Sequence, residues 1–185
     1  NHVGDLVAKH RRVGLRVGGI ATDHPMLTTD PDIARPGYDR TGSLRNRILI
    51  GIALSGRFHA GQQIGQGIVE AHARGKKFFL TSNLLPHNDK VRTYMRDIEP
   101  VIAMGPDALI MADPGLIMMV REKWPEVSIH LSVQANTVNF MAVKFWQRMG
   151  VARIILSREL SLDEIEKVRQ ECPDIEREVF VHGAL

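Results

Sequence analysis

The sequence predicts an α/β fold, a partial (β/α)8 TIM-barrel-like domain of about four βα units plus a fifth strand, on three observations. Short apolar runs alternate strictly with amphipathic helical patterns from residue 61 onward. The runs begin at residues 77, 107, 128, 152 and 178, at intervals of 30, 21, 24 and 26 residues, each the length of one βα unit. Such alternation implies a parallel sheet with helices outside it. Finally, no G-x-G-x-x-G follows any of these runs. That removes the usual mark of a dinucleotide-binding open sheet and favours the barrel of the two parallel architectures. A complete barrel needs roughly 200 to 250 residues, so residues 61–185 make about half of one.

Residues 77–83 (KFFLTSN) combine aromatic and β-prone side chains and read as the first strand. Asn88 is a good N-cap for the helix that follows, whose apolar face is Val91, Tyr94, Met95, Ile98, Val101 and Ile102, closed by Gly105 and Pro106. Residues 107–112 (DALIMA) form the second strand. Asp113-Pro114 then opens a helix with Leu116, Ile117 and Val120 inward, ended by Pro125. Residues 128–133 (SIHLSV) are the third strand, followed by a helix carrying Val138, Met141, Phe145 and Met149 that stops at Gly150. Residues 152–157 (ARIILS) are the fourth. Ser161 and Glu164 form an S-x-x-E capping box for a helix facing inward through Leu162, Ile165 and Val168 and ended by Pro173. Residues 178–182 (EVFVH) are the fifth strand.

Residues 1–60 read differently. They hold eight of the 16 glycines, with Pro25, Pro31 and Pro36, and no sustained period; only residues 48–54 look like a buried strand. A boundary is therefore expected near residue 61, with an irregular segment before it. The net charge of +3 divides the same way: residues 1–60 carry nine Lys and Arg against five Asp, a balance of +4, and the remainder carries −1. The basic excess is thus poor grounds for a nucleic-acid partner. No stretch approaches the ~18 apolar residues of a membrane span. A single cysteine, Cys172, excludes a disulfide framework and fits a reducing cytoplasm. The first residue is Asn1 rather than Met and no signal peptide is recognisable, so a cytoplasmic fragment is expected.

Chemistry in parallel α/β folds gathers at the C-terminal ends of the strands. That rule selects Asn83 and His87, Asp113, Gln134 with Asn136 and Asn139, Arg158 and Glu159, and His182. Each has two readings. Asp113 either caps a helix or is catalytic; Gln134 either satisfies neighbouring backbone or binds a polar ligand group; Asn136 either caps the next helix or contacts substrate. Arg158 and Glu159 point to opposite faces if extended, one to an ion pair and one to the crevice, where an arginine binds anions. His87 and His182 are either general acids or bases or simply solvated. The glycine-rich residues 61–67 (GQQIGQG) read as a helix start. No H-E-x-x-H, G-x-S-x-G, Walker loop or spaced cysteine set is present, so no metal site is expected.

The stretches EAHARGKKFF, MGPDALIMADPGLIMMVRE, IHLSVQANTVN, RIILSRELSLDEI and EVFVHGAL resemble the collagenase-like peptidase family, family thirty-two of the unclassified peptidases, and most closely its branch linked to tRNA wobble-uridine hydroxylation. The resemblance covers about two thirds of the chain, from Gly67 to Leu185. It implies a TIM-barrel-like domain of a bacterial cytoplasmic protein, with tRNA as partner and prephenate, a small anionic metabolite, as a requirement. By position, Asp113, Gly115, Gln134, Asn139, Arg158 and Glu159 match its strand-end motifs, and Glu178, Phe180, Gly183, Ala184 and Leu185 match the start of its signature. That signature continues with cysteines, so an iron-sulfur cluster is implied for the parent through residues beyond Leu185, and none for this chain. The expected catalytic set is accordingly Asp113, Gln134, Arg158, Glu159 and His182. Asn83, His87, Asn136, Asn139 and Arg158 are expected to bind substrate.

Three functions follow from these readings. The parent hydroxylates tRNA uridine to 5-hydroxyuridine, or is a metal-dependent peptidase, or this chain is an inactive fragment or binding subunit. Half a barrel has two unpaired edges, which predicts aggregation or reliance on a partner.

Overall fold

The computed structural model describes residues 16–18, 47–50 and 59–180, and the side chains from residue 64 to 180. All its strands are parallel: β1 (Arg16–Gly18), β2 (Arg47–Ile50), β3 (Lys77–Thr81), β4 (Ala108–Met111), β5 (Ile129–Leu131), β6 (Arg153–Ile155) and β7 (Glu176–Phe180). The helices are α1 (His59–Ala73), α2 (Asn88–Ala103), α3 (Pro114–Lys123), α4 (Phe140–Arg148) and α5 (Leu162–Glu171). A 3₁₀ turn occupies Val133–Ala135.

The strand order β1-β7-β6-β5-β4-β3-β2 decides between the two parallel architectures. From β2 to β7 every strand lies beside its neighbour in sequence, so each crossover steps in the same direction. A doubly wound sheet reverses its order part-way; this one does not. β1 sits beyond β7, where the cyclic order of a barrel would place it, in register Arg16 with Glu178 and Gly18 with Phe180. The fold is that of a partial barrel. The five expected strands are all present, with β7 starting at Glu176 rather than 178. β2 coincides with the first part of the strand expected over 48–54, and β1 is too short to carry a readable period.

The two faces of the sheet are filled differently. Phe78, Leu80, Leu109, Met111, Ile129, Leu131, Ile154 and Val179 join the buried residues of the helices in one core. Their alternates Phe79, Ala108, Ile110 and Ile155 form a separate cluster with Val133 and Phe180 and no helix residue. Side chains of a strand point alternately to opposite faces, so the helices cover one side and the second cluster is the barrel interior. Burial on both sides explains why the strands read as continuous apolar runs. Residues 61–67 lie inside α1, and Gly67 lets that helix close on β3: a Cβ there would stand 2.8 Å from the Phe78 ring.

Two local expectations are corrected. Asn88 is the first residue of α2 and His87 takes the N-cap position, without a side-chain cap bond. In α4 the expected apolar face is outward: Met141 is 58% and Phe145 53% exposed, while Val143 is fully buried. The stretch FMAVKFW is apolar on nearly every side, so its periodicity does not choose a face.

Candidate functional site at the strand ends

The C-terminal ends of β3, β5 and β6 are tied into one polar arc. Asn83 follows β3 and donates through Nδ2 to Ser132 Oγ at 2.8 Å. Ser132 follows β5, caps the 3₁₀ turn, and accepts Gln134 N–H at 3.2 Å. Asn136 ends that turn in the left-handed region (φ 49°), which Asn tolerates, and its Oδ1 accepts from Ser157 Oγ at 3.4 Å. Ser157 follows β6, donates its backbone N–H to the Thr137 carbonyl, and hydrogen-bonds the Glu159 carboxylate through its hydroxyl. Arg158 turns the other way and lays its guanidinium 4.4 Å from the Phe180 ring centroid. Beside that pair opens a cleft of about 300 Å³ lined by Ser157, Arg158, Leu162, Ile165 and Phe180.

The cleft walls are mostly apolar, with the Arg158 guanidinium and the hydroxyl-bearing Ser157 and Ser161 among the lining. The start of α5 borders it, but Ser161 and Glu164 occupy that helix end themselves: Ser161 N–H donates to Glu164 Oε2 at 2.8 Å and Glu164 N–H to Ser161 Oγ at 3.3 Å. The backbone of Ser161, then its hydroxyl, holds the Glu164 carboxyl below its ordinary range. The capping box thus engages the Ser161 and Glu164 amides at the end of α5 that borders the cleft.

The arc thus gathers Asn83, Asn136, Arg158 and Glu159, with Gln134 contributing its backbone N–H while its side chain is exposed. Three candidates lie apart from it. Asp113 caps α3, Oδ1 accepting Leu116 N–H at 2.8 Å, and Asn139 caps α4, Oδ1 accepting Ala142 N–H at 2.9 Å. His87 is exposed at the start of α2. His182, with residues 183–185, lies outside the described residues.

Below the arc the interior is charged, which the search for apolar runs passed over. Arg153 on β6 donates to Glu176 Oε2 at 2.6 Å and to Glu178 Oε2 at 3.1 Å, with the Arg153 and Glu178 side chains 4% and 5% exposed. It stacks over Phe79 at 5.2 Å, and Phe79 meets His130 edge-on at 4.7 Å. Strand alternation was the available signal, because His130, Arg153, Glu176 and Glu178 all fall on the interior phase. On the helix side, Tyr94 Oη and Ser82 Oγ are 2.9 Å apart, buried. Burial raises the Tyr94 pKa, its bond to Ser82 lowers it and the charge of Asp113 adds to the rise.

Among the described residues no group of three or more His, Cys, Asp or Glu is placed to hold a metal. An iron-sulfur cluster does not fit this chain. Cys172, its sole cysteine, is buried among helix-side residues, donates to the Phe140 carbonyl at 3.5 Å, and has its thiol pKa pushed up by that burial.

Residues 51–185 match the family described as Peptidase family U32. The chain belongs to family U32. The solved U32 peptidase Mk0906 shares the fold, with a TM-score of 0.58 at 14% identity over 79% of this chain and 72% of that one. Within the family the chain is 66% identical over 119 residues to tRNA hydroxylation protein P of Escherichia coli (strain K12), covering 64% of this chain and 26% of that protein. It is 62% identical over 127 residues to the Haemophilus influenzae protein of the same name, covering 69% and 27%. The 23S rRNA 5-hydroxycytidine C2501 synthase of E. coli is 34% identical over 124 residues, covering 67% and 18%. The chain thus spans about a quarter of the length of these two tRNA hydroxylation proteins. Among the described residues no helix is long and apolar enough to cross a membrane.

Proposed function

We infer that the protein to which this U32 chain belongs takes part in hydroxylating a uridine of tRNA to 5-hydroxyuridine in the cytoplasm. The observation that carries this reading is the 66% identity to a tRNA hydroxylation protein over 119 residues. The strand-end arc supplies hydroxyl and carboxamide groups of the kind that hydrogen-bond a base edge. The cleft beside Arg158 and Phe180 takes a small carboxylate metabolite such as prephenate, held by a guanidinium fork and an apolar wall. None of these side chains is redox-active, so they serve binding and orientation; a cluster, where the parent carries one, draws its cysteines from outside this chain. Deleting the gene is expected to abolish 5-hydroxyuridine-derived nucleosides in digested tRNA, read by mass spectrometry. Unchanged levels contradict the reading.

Peptide hydrolysis is the second reading, favoured by the family's description and by the solved neighbour. It needs an activated water. Chelator-sensitive cleavage of gelatin by the purified full-length protein supports it; no cleavage speaks against it.

A further inference from the structure

Asn83 carries an acceptor that finds no donor among the described residues. Its Nδ2 is engaged by Ser132 Oγ at 2.8 Å, and Ser132 Oγ is itself fixed by Gln134 N–H at 3.2 Å. Its Oδ1 is buried without a hydrogen-bond partner. Buried polar atoms are nearly always paired, so such an atom asks for a reason. Of the others among the described residues, Arg177 Nε stands on the helix phase of β7, and His130 and Glu178 take part in further interactions. Thr137 Oγ1 belongs to the loop of the same arc. Asn83 itself is only partly buried, at the mouth, and the terminal torsion of an Asn is soft. Turning the carboxamide, which gives up the Nδ2 bond to Ser132, presents Oδ1 to a flat ring seated on the strand ends.

The relatives fix which ring property matters. One acts in tRNA hydroxylation and another makes 5-hydroxycytidine, so this scaffold serves more than one target. Uracil and cytosine differ at N3, which bears a hydrogen in the first and is a bare acceptor in the second. The C4 substituent differs as well, an acceptor oxygen in uracil and a donor amino group in cytosine, so a carbonyl oxygen favours uracil where it is aimed at N3.

We propose that Asn83 determines specificity by accepting the N3–H of the target uracil through Oδ1, and so selects uridine over cytidine at the strand-end arc. The proposal rests on the tRNA reading above. It is tested by the affinity of the full-length protein for two anticodon stem-loops differing only in uridine or cytidine at the wobble position. The wild type is expected to prefer uridine at least tenfold. Asn83→Leu, and the smaller Asn83→Ala should Leu lower the melting temperature, reduce that preference to twofold or less. Asn83→Asp, which keeps an acceptor, retains most of it. A wild type without preference, a Leu or Ala variant that keeps it, or a folded Asp variant that loses it overturns the proposal. Nucleoside analysis of a deletion strain carrying the wild-type gene runs alongside. Restored 5-hydroxyuridine with no uridine preference overturns the role of Asn83 alone, whereas no restoration overturns the hydroxylation reading and this proposal with it.

Discussion

Arg153 is enclosed within the barrel and held by two carboxylates, one of them as deeply buried as itself. Taking such charges out of water is costly, and the cost is offset only while all partners remain. Arg153→Ala is therefore expected to lower unfolding free energy by about 3 kcal/mol, since it removes a buried charge partner of Glu178. The double change Arg153→Met with Glu178→Met recovers most of that loss. Denaturant titration of both variants checks the pair, and equal losses contradict it. Titration behaviour gives a second expectation. Burial raises the pKa of Cys172 and of Tyr94 above their ordinary values of 9.0 and 10.0. The folded chain then holds these protons more tightly than the unfolded chain, so the contribution is full below pH 9 and is lost as the pH rises through the raised values. A melting temperature that falls as the pH rises above about 9, and native Cys172 that resists alkylation until the chain unfolds, are the expected outcomes. The charged interior was legible only through strand alternation, because His130, Arg153 and Glu178 each sit in a run that reads as a strand through its apolar neighbours.

Helix ends separate the two roles of Asp113. Its carboxylate caps α3, and Gly115 packs against it, with a Cβ there only 3.2 Å from Oδ1. Asp113→Ala is expected to cost about 1 kcal/mol of stability and Asp113→Ser much less, because serine caps nearly as well. Equal melts for both variants, with activity lost in both, would restore Asp113 to catalysis. The capping box of α5 was readable outright, since Ser161 and Glu164 stand three apart before an apolar stripe. The orientation of α4 was not. Val143 is its fully buried side chain, and Val143→Ala is expected to cost about 2 kcal/mol, whereas Phe145→Ser changes stability by less than about 0.5 kcal/mol. Thermal melts that reverse this order contradict the observed face.

At the scale of the whole molecule, the spacing and parallel pairing of β3 to β7 were present in the sequence, because each βα unit declares itself by an apolar run, a cap and a stop. The cyclic order was not, since β1 is three residues long and pairs with the last strand across the length of the chain. The candidate site was legible as a place in the fold, the strand ends, rather than as a mechanism. The strand-end rule found Asn83, Asn136, Arg158 and Glu159, but whether an Asn caps a helix or faces the mouth depends on one or two residues of register, as Asn136 and Asn139 show. The account places binding at the C-terminal end of the sheet and nothing at the opposite end, where His72 pairs with Asp107 at 2.9 Å and Lys77 opens β3. The most direct test is the 5-hydroxyuridine content of tRNA from a deletion strain carrying full-length protein altered at one end or the other. Arg158→Ala with Asn83→Ser is expected to lower it at least tenfold, and His72→Gln with Lys77→Gln to leave it unchanged. Full hydroxylation by the first pair, or its loss with the second at wild-type stability, contradicts the account.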